Sequence, residues 1–264
     1  MIGAPLLYLH GLPGSFASEM DIVFGPDKRP DGLEPLNRLG PLGGGLPYAD
    51  ALIDAFDEMT RAPRLAGHVR LVAFSLGSMA ALRIAAARAD RIASLDLIAP
   101  AAPLQLGDFL DAMAGKPVFE AAQQGKFRLG LLARMQSVAL TIAPSLIARQ
   151  LFAASSDAER KLMGAPERRC AFLAGMKQAV HHHPAAYKAE LRAYVTDWSA
   201  MLAEVRSPVR IWQGTDDNWA PAAMAQALAS ALMSPPEIIL AEGMSHYGVL
   251  VQSLPKIIAE RRAE

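Results

Sequence analysis

The feature that most constrains the fold is a series of short apolar runs that are bounded by turn residues and alternate, over much of the chain, with segments of helical spacing. Five runs are clear, at residues 6–9, 69–74, 92–99, 209–212 and 237–240, and a weaker one lies near residues 33–39. Short, mostly apolar runs indicate strands that are buried on both faces. Because these strands alternate with helices, the sequence predicts an α/β fold with a doubly wound, mainly parallel sheet.

The alternation stops between residues 102 and 205, where the sequence contains helical stretches and no convincing strand. We therefore predict a core made of residues 1–101 and 206–264, with residues 102–205 inserted as a helical cap. Cys170, the single cysteine, is expected to be a small buried residue of this cap. The large apolar residues of the cap are expected to be mostly packing core, with a minority facing a pocket. They include Phe109, Met113, Phe119, Phe127, Met135 and Phe152.

Composition argues against several classes of partner. The chain carries 26 basic and 26 acidic residues, so we expect no basic field that would attract nucleic acid or a membrane. A single cysteine cannot form an internal disulfide, which favours a reducing compartment. Neither a signal sequence nor an uninterrupted apolar stretch of about 18 residues is evident, so the expectation is a cytoplasmic protein.

A candidate nucleophile stands where the apolar run at 69–74 meets an alanine-rich helical segment. Ser75 occupies this junction, with Ala73 two residues before it and Gly77 two residues after it. A nucleophilic serine on a tight turn between strand and helix is held in a strained conformation, and small neighbours relieve the crowding. The alternative is that Ser75 only caps the following helix.

Polar residues follow three other apolar runs, at the point where the carboxyl ends of parallel strands would meet. The segments are HGLPGS at residues 10–15, GTDDNWAP at residues 214–221 and GMSHY at residues 243–247. They supply His246 as a candidate base and Asp216 or Asp217 as a candidate acid. Along the chain these candidates occur in the order serine, aspartate, histidine.

With these motifs the sequence resembles the α/β-hydrolase superfamily, in the capped branch that includes epoxide hydrolases, haloalkane dehalogenases, meta-cleavage-product hydrolases and many esterases. The resemblance rests on the H-G-x-P-G loop at 10–14, the turn at 73–77, the G-x-x-D-x-x-x-P stretch at 214–221 and His246, and it does not cover the cap. Ala73 and Ser245 stand where the family commonly has glycine. A serine nucleophile, in place of aspartate, argues against dehalogenase and epoxide hydrolase chemistry and suits attack on a carbonyl.

The resemblance implies a catalytic role for three side chains. Ser75 would attack the carbonyl carbon, and neutral His246 would accept its proton and return it to the leaving group. Asp217 would hold the imidazole in the correct tautomer, since the family spacing within residues 214–221 selects it over Asp216.

Four further residues are predicted around this triad. The resemblance implies that the backbone N–H groups of Leu12 and Leu76 bind the oxyanion, and Leu76 would gain from the positive end of the helix that it opens. Trp219 and Tyr247 flank the acid and the base in sequence, so they either line the substrate site or pack beneath it.

Other polar features are interpreted as structural. His10 precedes a glycine at a strand end and is expected to support the site indirectly. The histidines at 181–183 are consecutive, and consecutive helical residues point about 100° apart, so they are not expected to converge on a metal ion. The glycines at 43–45 lack the following lysine of a phosphate-binding loop and predict a turn. No cofactor and no metal are expected.

The predicted activity is hydrolysis of a carboxylic ester or related acyl compound through an acyl-enzyme. The substrate is expected to be a small molecule with an apolar moiety. Three alternatives stay open: cleavage of a carbon–carbon bond in a diketone, acyl transfer or perhydrolysis, and a ligand-binding receptor on this fold that has lost turnover. Fold and motif do not select the substrate, because the cap supplies much of the pocket.

Overall fold

The computed structural model describes residues 4–38 and 47–263, so the turn predicted at residues 43–45 lies outside the described part of the chain. Its sheet has six strands, all parallel, in the spatial order β2-β1-β3-β4-β5-β6. The strands are β1 (Leu6–Leu9), β2 (Leu33–Pro35), β3 (Val69–Phe74), β4 (Ile92–Ile98), β5 (Val209–Gly214) and β6 (Glu237–Ala241). The predicted parallel α/β sheet is therefore confirmed, including the weak strand near residue 33.

Helices connect the strands. They are α1 (Phe16–Phe24), α2 (Tyr48–Met59), α3 (Gly77–Ala87), α4 (Lys116–Gln123), α5 (Lys126–Ile142), α6 (Pro144–Leu151), α7 (Asp157–Gly164), α8 (Pro166–Lys177), α9 (Pro184–Val195), α10 (Ala222–Ala231) and α11 (His246–Ala263). The sequence analysis missed α1. Its start is marked by a reciprocal hydrogen-bonded cap between Ser15 and Ser18, a serine pair at the spacing of a capping box.

The strand order places a topological switch point between β1 and β3. The chain leaves β1 for β2 on one side, and every later strand is added on the other side. Because parallel crossovers are right-handed, α1 must cover one face of the sheet and α2, α3 and α10 the opposite face. The loops after β1 and β3 therefore diverge at this point, where open α/β sheets form their binding crevices.

Between β4 and β5 the structure contains helices and no strand, as the sequence predicts for residues 102–205. These helices are not isolated from the sheet layers, because α8 packs on α1 and α9 packs on α2. Gly175 marks the closest approach, since a Cβ there would collide with the hydroxyl of Ser18. The division into core and cap stays a prediction, and we keep the word cap for residues 102–205.

Two burial predictions for the cap have different outcomes. The prediction that Cys170 is buried is wrong, because this position of α8 is exposed. Phe127 and Met135 neither pack in the core nor line the cavity, since they are 83% and 60% exposed on α5. The other four residues of that set are buried, namely Phe109, Met113, Phe119 and Phe152.

Among the described helices, no single one is long and apolar enough to cross a bilayer. The consecutive pair Lys126–Ile142 and Pro144–Leu151 meets the length and composition requirements together, but its two helices meet at a bend of 117°.

Candidate active site

Ser75 forms the turn between β3 and α3. Its φ of 54° lies in the left-handed region, which is costly for a residue with a Cβ and is typical of strained functional turns. The turn is secured on both sides, because the Ser75 N–H donates to the carbonyl of Ile98 (2.9 Å) and the Ser75 carbonyl accepts from Ser78 N–H (3.0 Å). Gly77 is required here, since a Cβ would collide with the carbonyl oxygens of Leu9 and His10.

Asp217 and His246 are brought together from the ends of β5 and β6. The His246 Nδ1 lies 2.8 Å from Oδ2 of Asp217, and both side chains are buried. The other oxygen, Oδ1, accepts from the N–H groups of Trp219 (2.8 Å) and Ala220 (2.9 Å). Three hydrogen bonds to one carboxylate fix its orientation.

Asp216 points elsewhere, although it is adjacent in sequence. Its side chain is exposed and bonds only to the hydroxyl of Thr215 (3.2 Å), among the described residues. Its backbone N–H donates to the carbonyl of Met244, which ties the β5 loop to the loop that carries His246. Gly214 permits this approach, because a Cβ there would collide with the same carbonyl.

Aromatic rings enclose His246. The Trp219 ring is stacked on the imidazole at 5.7 Å between centroids with an interplanar angle of 14°, and Phe74 lies 4.6 Å away. Trp219 also lines the cavity above Ser75. Tyr247 packs instead against Phe74 and Phe172 and is not among the residues that line this cavity.

The cavity in front of Ser75 has a volume of about 370 Å³. Leu12, Pro13 and Leu76 form its wall beside the serine, and the opposite wall comes from the cap. That wall is mainly apolar and includes Phe119, Leu140, Ile147, Leu151, Met176 and Leu191. One polar group is fixed there, because Gln136 accepts a hydrogen bond from the hydroxyl of Tyr187 (3.1 Å).

The two predicted oxyanion donors both border this cavity. Leu12 follows β1, and Leu76 immediately precedes the first turn of α3. Neither backbone N–H donates to an acceptor within the part of the chain that the structure describes. Their role as oxyanion donors stays a prediction.

Glu19 supports the loop that carries Leu12, a role that the sequence analysis missed. This buried side chain accepts hydrogen bonds from Gly11 N–H (2.8 Å) and from the hydroxyl of Tyr8 (2.6 Å). Burial raises the pKa of Glu19 to about 7, although both hydrogen bonds oppose that rise. No motif marks it, because the contact depends on how α1 folds back over β1.

Glu159 is the second missed carboxylate. It lies on α7 of the cap, is 1% exposed, and accepts from the N–H groups of Tyr247 (2.7 Å) and Gly248 (2.9 Å). These groups belong to the first turn of α11, directly after His246, where unpaired N–H groups attract a negative charge. Burial raises the pKa of Glu159 above its ordinary value, and the neighbouring His246 opposes that rise.

His10 occupies a buried position behind the site. Its Nδ1 lies 2.7 Å from the carbonyl oxygen of Gly11, and burial together with the charge of Arg38 lowers its pKa to about 3. Arg38 forms a fully buried ion pair with Glu190 of α9 at 3.1 Å. A histidine held neutral beside an arginine fits the structural role expected for it.

The histidines at 181–183 lie where α8 ends in a π-helical turn before α9. His181 bonds to the carbonyl of Ser137 (2.9 Å), and His183 bonds to Gln178 (3.1 Å). Across the described residues, no group of three or more histidine, cysteine or acidic side chains is arranged to hold a metal ion.

The fold and the site together point to one class of protein. Its members have a parallel sheet, a serine on a strained turn after one strand, and an acid and a histidine after two later strands. The sequence matches the model of the alpha/beta hydrolase family over residues 6–261. The chain therefore belongs to this family of hydrolases.

Solved structures with the same fold cover almost the whole chain. An alpha/beta hydrolase fold protein from Nakamurella multipartita is 21% identical, with a TM-score of 0.64 over 98% of this chain and 92% of that one. The enol-lactonase from Burkholderia xenovorans LB400 is 17% identical, with a TM-score of 0.62 over 99% and 92%. A thermophilic esterase from Thermogutta terrifontis is 16% identical, with a TM-score of 0.63 over 98% and 91%. No curated protein matches the sequence significantly.

Proposed function

We propose that this protein is a serine hydrolase that cleaves a carboxylic ester or a related acyl compound through an acyl-enzyme. The observation that carries the proposal is the left-handed turn at Ser75, which faces a cavity whose wall includes Trp219, the ring that stacks on His246. The buried pair of His246 and Asp217 supplies the base and its orienting acid.

The reaction then follows from the groups around the cavity. Ser75 Oγ attacks the carbonyl carbon while His246 Nε2 accepts the hydroxyl proton, and Nδ1–H of the same ring donates to Asp217. The negative oxygen of the tetrahedral intermediate accepts from the N–H groups of Leu12 and Leu76. His246 next gives its proton to the leaving oxygen, and a water molecule activated in the same way hydrolyses the acyl-enzyme.

The cavity supports an apolar acyl group. At about 370 Å³ it suits a small molecule, and the cap wall opposite Ser75 presents aliphatic and aromatic side chains. Gln136, oriented by Tyr187, is a candidate contact for one polar atom of the substrate. Two of the solved structures with the same fold belong to proteins named as an enol-lactonase and an esterase, and these names support ester hydrolysis as the proposed reaction.

Covalent labelling with a fluorophosphonate probe tests the proposal. We expect wild type to be labelled at Ser75 and to hydrolyse chromogenic esters, and Ser75→Ala to lose both labelling and turnover. Ser78→Ala is the matched control, because this buried serine belongs to the first turn of α3 and has no role in the proposed reaction. Unchanged labelling and activity in Ser75→Ala would refute the proposal.

A substrate panel separates ester hydrolysis from the alternatives. Chromogenic esters of increasing acyl length are compared with a vinylogous diketone and with peroxide or alcohol as acyl acceptor. We expect ester hydrolysis to be fastest. Rapid diketone cleavage beside slow turnover of every ester would favour carbon–carbon hydrolysis, and ligand binding without labelling would favour a receptor.

A further inference from the structure

Apolar side chains are exposed along the outer face of α5 and the start of α6. They are Phe127, Leu131, Met135, Val138, Ile142 and Leu146, and we call them the apolar stripe. Phe127 and Ile142 are 83% and 77% exposed. At about 100° per helical residue, the five members on α5 fall within a sector roughly 80° wide. An exposed patch of aligned apolar residues is typical of an interaction surface.

Positive charge flanks the apolar stripe. Helical spacing places Arg134 on one side of it and Arg128 on the other, and Lys126 and Arg149 lie near its two ends. All four are exposed, and none forms an ion pair within the described residues. The segment 121–156 contains no aspartate or glutamate, so the balanced charge of the whole chain conceals a local excess of cations.

A groove continues the same face between α6, α7 and α8. Its volume is about 420 Å³, and its apolar lining includes Leu146 of the stripe together with Phe152 and Met163. Three arginines border it: Arg149, Arg160 and Arg169. Arg160 pairs with Asp157, whereas Arg149 and Arg169 have no acidic partner among the described residues. Guanidinium groups around an apolar groove fit an anionic headgroup attached to acyl chains.

We infer that this face of the cap docks on the surface of a bilayer that contains anionic phospholipids. A helix that exposes an apolar stripe between basic residues lies in the membrane interface with that stripe inserted. A second copy of the chain fits less well, because a two-fold contact through this face would bring the unpaired cations against each other. The inner face of α5 is buried through Leu129, Ala133 and Leu140, so the helix lies on the bilayer and does not cross it.

Docking in this orientation places the bilayer beside the candidate active site. Gln136 and Leu140 line the cavity from the side of α5 opposite the apolar stripe, and Ile147 of α6 lines it next to them. Apolar molecules dissolved in the lipid would meet the protein at the cap wall. The docking itself rests on the outer surface alone and holds whether or not Ser75 is a nucleophile.

Vesicle flotation tests the inference. The probes are vesicles of phosphatidylcholine alone and vesicles of phosphatidylcholine mixed with phosphatidylglycerol. We expect wild type to float with the mixed vesicles, to bind the neutral ones more weakly, and to be released in part by high salt. Arg128→Glu with Arg134→Glu, and separately Phe127→Ser with Ile142→Ser, should each weaken binding to mixed vesicles by about tenfold or more.

Matched controls change the same residue types on other surfaces. Met233→Ser with Leu240→Ser removes exposed apolar residues outside the cap. Arg206→Glu with Lys256→Glu reverses exposed charges, also outside the cap. We expect both control pairs to float as wild type does. Thermal unfolding of each variant checks that it is folded, and the charge-reversal pair alters only exposed residues.

Three results would overturn the inference. In the first, wild type fails to float with the anionic vesicles. In the second, the stripe and charge variants float as well as the controls do. In the third, wild type does not bind vesicles, and light scattering shows a dimer that becomes a monomer in the variant Phe127→Ser with Ile142→Ser. A second copy of the chain would then be the occupant of this face.

Discussion

The two adjacent aspartates after β5 differ completely in what they contact. Asp217 is buried against His246, whereas Asp216 is exposed and bonds to Thr215. Successive residues that leave a strand point in different directions, so one of the pair faces the site and the other faces solvent. The family spacing indicated the same choice, and the contacts now give it a physical reason.

Asp217→Asn should lower kcat by roughly 10³–10⁴, because an amide leaves the imidazole in the wrong tautomer. Asp216→Asn is the matched control and should change kcat little, with a stability cost of at most a few tenths of a kcal/mol. Steady-state kinetics on a chromogenic ester measures both. If Asp216→Asn is the more damaging change, the acid is assigned to the wrong residue.

Glu19→Gln should alter how stability depends on pH. Burial raises the pKa of Glu19 from 4.5 to about 7, so the folded chain holds this proton more tightly than the unfolded chain does. The stability from protonated Glu19 is complete below pH 4.5 and is lost as the pH rises through about 7, a change of about 3 kcal/mol. The variant cannot titrate, yet its amide can still accept from Gly11 N–H and donate to Tyr8.

The measurement is urea unfolding of wild type and Glu19→Gln across this pH range. The free energy of unfolding of the variant, relative to wild type, should rise between pH 4.5 and about 8. A difference that stays constant with pH would show that Glu19 is ionised throughout.

At the scale of elements, helix termini organise the site. The first turn of α3 follows Ser75, the proposed nucleophile, and the first turn of α11 begins with His246. Glu159 extends from α7 of the cap and accepts hydrogen bonds from N–H groups in the first turn of α11. The cap therefore contributes to the position of the base as well as to the wall of the cavity.

Glu159→Gln should lower kcat with little change in KM, because one oxygen acceptor and the compensating charge at the start of α11 are lost. Glu159→Ala should lower kcat further, since two buried N–H groups then lack an acceptor, at a cost of about 1–3 kcal/mol each. Glu167→Gln, an exposed carboxylate in the first turn of α8, is the control. If Glu159→Gln and Glu159→Ala change stability and leave kcat as it is, Glu159 has only a structural role.

Gly77→Ala should severely destabilise the protein and remove probe labelling of Ser75. The new methyl group would collide with the carbonyl oxygens of Leu9 in β1 and of His10 directly after it, which cannot move without disturbing the sheet. Gly130→Ala is a matched control within α5, where a Cβ meets nothing within 4 Å, and it should stabilise the helix by about 0.5–1 kcal/mol. Thermal unfolding and labelling compare the two. A stable, labelled Gly77→Ala would contradict the close approach of α3 to β1.

In the proposed mechanism, the sheet carries the reacting groups and the cap forms much of the space around them. The loops that carry Ser75, Leu12, Asp217 and His246 all follow carboxyl ends of strands. Most of the apolar wall of the cavity comes from residues 102–205. Changes in the cap should therefore affect substrate choice more than the reaction itself.

Leu140→Ala should shift preference toward longer acyl groups while labelling of Ser75 persists. Leu140 is fully buried and lines the cavity, so its truncation enlarges the space for the substrate. Leu202→Ala removes an equally buried leucine that is not among the cavity-lining residues, and it should cost a similar 2–5 kcal/mol of stability without a shift in preference. The ratio of kcat/KM across esters of increasing acyl length is the measurement. An unchanged profile in Leu140→Ala would contradict the role of the cap wall.

The sequence alone determined those features that depend on local patterns. Short apolar runs predicted every strand of the sheet, because the central strands are buried on both faces and are therefore mostly apolar over their length. The edge strand β6 has the same sequence pattern, although Ile238 and Leu240 are 36% and 56% exposed. The turn around Ser75 was visible because a tight strand-to-helix junction demands small residues at fixed spacing. For the same reason Asp217 and His246 could be named, since each follows a predictable strand end.

Only the tertiary structure decided what depends on contacts between distant segments. Glu19 accepts a hydrogen bond from a backbone N–H group 8 residues away, and Glu159 accepts one from an N–H group 88 residues away. No local sequence pattern marks the acceptor for such groups. The exposure of Phe127 and Met135 likewise depends on which side of α5 the rest of the cap covers. An apolar residue on a helix has the same sequence signature whether it meets the core or solvent, and only the packed structure distinguishes the two faces.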